Sequence, residues 1–392
     1  MNAVGPRRPR FSIVLPTHNR ADVLPFAIRS ALWQTMPDFE LLIAGDGCTD
    51  GTRDVVAAFD DPRIRWFDLP KAPGVGYANR NAVLRDARGG NIAYLAHDDI
   101  WFPDHLERLG SLLDRPHTEF AYTRGIGVDI HGRMLPYWYN LGVPRHQDGL
   151  WRGDSAITMA TVGHSRECLD KYGYWDETMR FGADVVMWHR IVMGGRFKNL
   201  AFDPNPTSLH FVARWRDTTA HRVKSWVGGW LLDGFIDENL PAMLRLRALP
   251  DRTQQEAAWL RLARDPGEEV RGIREGVVQL SDTMLWRSRT HPQLAGLRFG
   301  LTLGSLLDRS VGAAMWVASP WRRRWYGNLQ GKTRALQLAG VAGRAPDPFV
   351  AKSGTLEHGS DTHDDSTGAN HRALVTGRDT SRGAPRPTDG NP

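Results

Sequence analysis

The strongest constraint on how this chain folds is an alternation over its first 125 residues between short apolar runs and stretches of helical spacing. Phe11-Ser12-Ile13-Val14-Leu15 reads as a buried strand that stops at Pro16, and Val23, Leu24, Ala27, Ile28, Ala31 and Leu32 then recur three or four apart, like the buried face of a helix. The same reading predicts strands over 39–44, 64–67 and 91–96, and helices over 75–86 and 103–113, the last with Pro103 in its first turn. Strands that alternate with helices imply an α/β fold with a mainly parallel sheet flanked by helices on both faces. Ligands of such sheets sit beyond the carboxyl ends of the strands. Thr17 to Arg20, Asp46 and Asp98-Asp99 all fall at that edge.

The chain has 392 residues, room for one large domain with an appendage or for two ordinary ones, and its 41% hydrophobic content is enough for a full core. Two cysteines, Cys48 and Cys168, make neither a disulfide framework nor a zinc-ligand set, so a cytoplasmic location is expected. The basic stretch 1–10 reads as a flexible lead-in without the apolar core of a signal peptide. No uncharged run approaches the ~20 apolar residues of a membrane span. A net charge of +6 favours anionic partners. The basic residues are scattered and form no nucleic-acid recognition motif, so no nucleic-acid partner is expected.

The pair Asp98-Asp99 closes an apolar run, Tyr94-Leu95-Ala96-His97-Asp98-Asp99. Two like charges side by side repel, so the pair is costly unless a cation or hydrogen-bond donors hold it. Carboxylate oxygens suit Mg2+ or Mn2+, and such an ion carries diphosphate readily.

Taken with Pro16-Thr17-His18-Asn19-Arg20 and Gly45-Asp46-Gly47-Cys48-Thr49-Asp50-Gly51-Thr52, this segment resembles the family 2 glycosyltransferases of the GT-A fold, over roughly residues 10–215. The resemblance implies a GT-A Rossmann-like domain over 11–215, with 11–125 as the nucleotide-binding half and 126–215 as a less regular acceptor half. A helical C-terminal extension over 216–344 and a disordered tail over 345–392 would follow. It assigns Pro16, Thr17, Asn19 and Arg20 to the base of a nucleotide-sugar, UDP being expected, and Asp46 to the base's N–H. Gly74-Val75-Gly76-Tyr77-Ala78-Asn79-Arg80-Asn81 resembles the family's Gly-x-x-x-Ala-Arg-Asn stretch at a helix start, which implies Arg80 near the nucleotide. Asp98 would touch the ribose or metal, and Asp99 would ligate Mn2+ or Mg2+.

Further on, Gly173-Tyr174-Trp175-Asp176-Glu177 fits the family's Gly-Gly-Phe-Asp-Glu, and Ala183-Asp184-Val185-Val186-Met187-Trp188-His189-Arg190 resembles Glu-Asp-x-x-Leu-Trp-x-Arg. The resemblance makes Asp184 the general base that takes a proton from an acceptor hydroxyl, with inversion at the anomeric carbon. His210 matches a late histidine near the diphosphate or metal in some relatives. Four departures stand out: Gly45 and Ala96 replace aspartates, Cys48 replaces a serine, and Ala183 replaces a glutamate. The acceptor would be a glycan or a lipid-linked sugar of cell-surface assembly.

Residues 286–334 combine apolar stretches, tryptophan and many arginines, a pattern that fits a peripheral contact with an anionic membrane surface and equally a helical lid or a dimer surface. Trp321-Arg322-Arg323-Arg324-Trp325 ends like the processive synthases' Gln-x-x-Arg-Trp but lacks the Gln, so a single-addition enzyme is expected. Two other readings are weighed. A nucleotidyltransferase would need a glycine-bearing triphosphate loop after the first strand, and 16–20 contains no glycine. A non-catalytic nucleotide-sugar-binding module draws on Ala96 and Ala183.

Overall fold

Strands β1 (Phe11–Thr17) and β2 (Phe39–Asp46) are buried along their whole length, which is why they read as unbroken apolar runs rather than alternating ones. In the computed structural model, which describes residues 8–137, 140–142, 147, 157–211 and 238–290, the two pair in parallel. Strand β3 (Ile64–Leu69) lies beyond β2, and β4 (Asn91–Tyr94) lies on the other side of β1, both parallel. The crossovers carry α1 (Leu24–Leu32), α2 (Thr52–Ala57) and α3 (Tyr77–Arg85). Helix α3 starts two residues later than its spacing predicts, because Gly76 stands before it at φ 80°.

Beyond β4 the sheet becomes mixed. It continues through β8 (Val162–Ser165), β6 (Phe120–Val128), β9 (Leu200–Phe211) and the two-residue β5 (Ile100–Trp101), with β7 (Met134–Pro136) also paired to β6. The order is β3-β2-β1-β4-β8-β6-β9-β5, a mixed α/β sheet with its parallel part at the β3 end. The stretch 126–215 is more regular than expected, since it also carries α5 (Glu167–Tyr172) and α6 (Ala183–Gly194). Its strands hide in the sequence for physical reasons. Pro204 and Pro206 interrupt β9, and the β6–β9 register shifts around Arg124. Gly127 of β6 leaves room for Tyr137, whose hydroxyl would lie 2.8 Å from an added Cβ.

One face of the sheet is covered by α3 and α6, with Leu42, Tyr94 and Trp188 in the core. The other face holds Ile13, Leu41 and Trp101 under α1 and α4 (His105–Leu113). A third cluster joins Ile100, Ile126 and Leu209 to α7 (Gln254–Arg264) and α8 (Pro266–Thr290) through Ala258, Leu262 and Ile273. No helix among the described residues is long and apolar enough to cross a membrane. The basic tryptophan-bearing stretch from 291 on, and the tail 345–392, lie outside the described residues.

At the amino edge of the sheet, Glu40 is buried, yet its Oε1 accepts from Ser12 Oγ and Arg88 N (each 2.6 Å) and its Oε2 from Arg65 Nη1 (3.0 Å). Glu40→Ala strands these donors and is expected to cost about 2–3 kcal/mol. Denaturant titration checks the loss, and the activity of the folded fraction should be unchanged because the site is at the opposite edge.

Candidate active site

The loops after β1, β2, β3 and β4 leave the sheet at one edge, and side chains tie them to one another. Asn19, at φ 50°, accepts from Thr49 N (2.8 Å) through Oδ1 and donates to Thr49 Oγ1 (3.2 Å). Arg20 N donates to Thr52 Oγ1 (2.9 Å), and His18 Nδ1 lies 2.7 Å from the Asp46 carbonyl oxygen. Thr17 is buried, and its Oγ1 has no hydrogen-bond partner among the described residues. The first two loops are therefore a single stapled unit in which Asn19 works between loops.

Asp46 is almost fully enclosed. Its Oδ1 accepts from Ala72 N (2.8 Å) and Asn79 Nδ2 (2.7 Å), and its Oδ2 pairs with Lys71 Nζ (2.6 Å). A carboxylate offers about four acceptor positions, so one remains on Oδ2 beside these three donors. Gly76 permits this packing, since an added Cβ would stand 2.6 Å from Asp46 Oδ2. Asp46 thus clamps the loop of 70–76 and the start of α3.

Arg80 projects from α3 with its guanidinium carbon 5.0 Å from the ring centres of both Tyr77 and Trp175. Its buried Nε has no hydrogen-bond partner among the described residues. Burial lowers its pKa, against the opposing fields of Tyr77, Asp184 and Asp46. A positive charge held by ring faces instead of hydrogen bonds keeps its N–H groups available to an anion.

Asp184 lies in the first turn of α6. Gly182, at φ 79°, is the N-cap, and no side chain caps this end, so Asp184 is not the capping residue. Tyr77 fixes this end by accepting from Ala183 N (3.3 Å). Its phenol is pushed up to about 12 by burial first and by the Asp184 charge second. Asn81 stitches α3 to the preceding loop, donating to Trp175 O (2.8 Å) and accepting from Trp175 N (3.0 Å). Arg190 donates to the Tyr174 carbonyl.

Asp98 and Asp99 follow β4 and differ in environment. The Asp98 side chain is 20% exposed, whereas that of Asp99 is 1% exposed and accepts from His210 Nδ1 at 2.9 and 3.1 Å and from Phe211 N at 3.4 Å. Burial pushes the Asp99 carboxyl above its usual range, and His210 opposes that shift. The pairing of β5 with β9 brings these two residues together across 111 positions of sequence. His97 accepts at Nε2 from Arg20 Nε (3.3 Å) and lies 3.9 Å from Asp98. Burial lowers its pKa, with Asp98 pulling the other way.

The structure therefore gathers Thr17, Asn19, Arg20, Asp46, Arg80, Asp98, Asp99 and His210 at linked loops, and places Asp184 within the electrostatic reach of Arg80. Pro16 is the penultimate residue of β1 and is buried within the sheet. Among the described residues no group of three or more His, Cys, Asp and Glu side chains forms a ready-made metal cage.

Residues 12–157 match the family described as Glycosyl transferase family 2. Over this stretch the chain is similar to that family. The succinoglycan biosynthesis protein ExoO of Rhizobium meliloti is 30% identical over 200 residues, covering 48% of this chain and 57% of that protein. An Escherichia coli UDP-Glc:alpha-D-GlcNAc-diphosphoundecaprenol beta-1,3-glucosyltransferase, WfgD, is 37% identical over 111 residues, covering 28% of this chain and 44% of its own length. The chain spans about half the length of the curated relatives it matches. Among solved structures, S. aureus TarS with UDP-GlcNAc is 17% identical at a TM-score of 0.44, covering 52% of this chain and 59% of that one.

Two departures from the family pattern have local causes. A Cβ at Gly45 would lie 2.4 Å from the Trp66 ring, so the indole fills the space of the usual aspartate. Ala183 is fully buried in the apolar cluster with Tyr77, where a glutamate would lose its water. Nothing in the structure explains Ala96. Sequence reasoning missed Lys71, Tyr77 and Asn79 as supports of the site. Lys71 follows a strand end with no periodic signal, and Asn79 was visible only as part of a helix start.

Proposed function

We propose that this chain transfers a single sugar from a nucleotide-sugar, with UDP as the expected nucleotide, to a hydroxyl of a glycan or lipid-linked acceptor, with inversion. The observation that carries this reading is the meeting of α3 and α6. Arg80 and Tyr77, on the helix that follows the glycine-rich loop, sit against the end of α6 that bears Asp184. Donor-side cation and candidate base are thus held by the same pair of helices. The similarity to proteins of succinoglycan and teichuronic acid biosynthesis supports a polysaccharide acceptor.

A divalent cation fits the residues present. Asp98 and Asp99 would hold such an ion through their carboxylate oxygens, with His210 beside Asp99. Bound there, Mn2+ or Mg2+ would neutralise charge on the departing diphosphate. The chain's own residues do the rest. The stapled 17–20 and 46–52 loops orient the base and ribose, and Arg80 supplies N–H donors to phosphate oxygens. Asp184 accepts the acceptor's hydroxyl proton as the oxygen attacks the anomeric carbon on the face opposite the leaving group.

The test is a panel of nucleotide-sugars with the purified chain, read by thermal shift with and without Mn2+ and by donor hydrolysis. Stabilisation by a UDP-sugar that needs Mn2+, with slow hydrolysis, is the expected result. Binding without hydrolysis or transfer to any acceptor would indicate a non-catalytic module, and no binding by any member would refute the assignment.

A further inference from the structure

Helices α7 and α8 lie outside the stretch that matches the family, yet they close on the frame of the candidate site at several points. Helix α7 starts at a Thr253 cap, which accepts from Glu256 N at 3.1 Å. In its first turn Gln255 Nε2 donates to the backbone carbonyl of Asp98 (3.3 Å), and Gln254 Nε2 donates to that of Asp129 (2.9 Å). Farther along, Trp259 meets Trp33, at the end of α1, edge to face with ring centres 5.0 Å apart. From α8, Arg274 Nη2 donates to both carboxylate oxygens of Asp104 (2.8 Å each), and its Nε donates to Pro206 O (3.1 Å). Asp104 is the N-cap of α4, a few residues after the Asp98-Asp99 turn, and Pro206 precedes the end of β9 that carries His210.

The turn with two adjacent carboxylates is therefore gripped from two directions. From β9, His210 and Phe211 N hold the Asp99 side chain, and from α7, Gln255 holds the Asp98 peptide. Mutual repulsion drives two neighbouring carboxylates apart, and a hydrogen bond to the carbonyl between them restricts the rotation that would separate them. We propose that residues 239–290 act as a brace for the donor-binding carboxylates, with Gln255 as the positioning residue. This inference rests on the reading of Asp98 and Asp99 as donor-side groups.

The experiment compares full-length wild type with Gln255→Met, which keeps the shape of the side chain and removes its N–H. Calorimetric titration with UDP in the presence of Mn2+ should show affinity weakened about five-fold, the loss expected for one hydrogen bond. The donor KM should rise by the same factor while kcat stays at the wild-type value, since the effect is on donor binding. Unchanged UDP affinity, with or without a lower melting temperature, would overturn the brace and leave Gln255 a structural contact. Asp98→Asn, run in parallel, separates the two layers of the argument. If it leaves UDP–Mn2+ affinity intact, the donor-side reading of the turn itself fails. If it weakens affinity and Gln255→Met does not, only the brace fails.

Discussion

Asp184→Asn is expected to slow sugar transfer about 1,000-fold, the range of a lost general base, while nucleotide-sugar affinity stays near the wild-type value. Asparagine keeps the size of aspartate and its place in the first turn of α6, but it cannot take a proton at neutral pH. The variant also discriminates well against a purely structural role. Asparagine serves a helix start about as well as aspartate, so a structural Asp184 would tolerate the change with full activity. The geometry already leans away from that role, since Gly182 occupies the cap position and no side chain caps this end of the helix. Steady-state transfer rates, together with UDP-sugar titration of the same protein, check both halves of the prediction. Full activity would assign Asp184 to the helix start, and equal loss of binding and turnover would assign it to donor binding.

A second large effect is expected on stability in acid. His105, His164 and His189 are buried, and burial pushes their imidazoles down to about 3, about 4 and about 4. In the core His105 Nδ1 lies 2.7 Å from Thr207 Oγ1, and His164 Nε2 lies 2.8 Å from the Tyr94 hydroxyl, so each ring has a neutral hydrogen-bond partner, while the Asp104 charge opposes the shift of His105 without reversing it. The unfolded chain protonates all three near the ordinary histidine value of 6.5, whereas the folded chain resists until far lower pH. More protons bound in the unfolded state means that stability rises with pH. The stabilisation is therefore complete above the ordinary value and is lost progressively as pH falls toward the folded values. The combined slope is roughly 4 kcal/mol per pH unit across the middle of that window. Urea titrations at neutral pH and at two steps into the acid range measure it. A stability that stays flat between pH 6.5 and 5 would contradict the buried neutral state of these rings.

The parallel half of the fold was legible from sequence because each of its elements carries its own signal. The strands β1 and β2 are continuous apolar runs, and α1 repeats its apolar residues at helical spacing. The conformation of Gly76 displaced only the start of α3. The mixed half was less legible, since β9 is a strand by virtue of its partners and carries two prolines that argue locally against one. Candidate site residues were visible wherever they close an apolar run at the sheet edge, as Asp46 and Asp98-Asp99 do. What those residues touch was not visible. The grip of Lys71 and Asn79 on Asp46, of Tyr77 on the start of α6, and of Gln255 on the Asp98 peptide each depend on loops that meet only after folding. Gln255 lies 157 positions from its partner, and a glutamine in an amphipathic helix gives no local sign of such a contact.

Hydrogen–deuterium exchange of the full chain, with and without UDP and Mn2+, tests most directly whether the loops at the carboxyl edge share one nucleotide-sugar cleft. Exchange is expected to slow together in peptides covering 17–20, 46–52, 74–80 and 96–99, with the start of α6 at Asp184 joining them when a UDP-sugar replaces UDP. Protection confined to other parts of the chain, or a start of α6 indifferent to the sugar, would contradict a shared cleft.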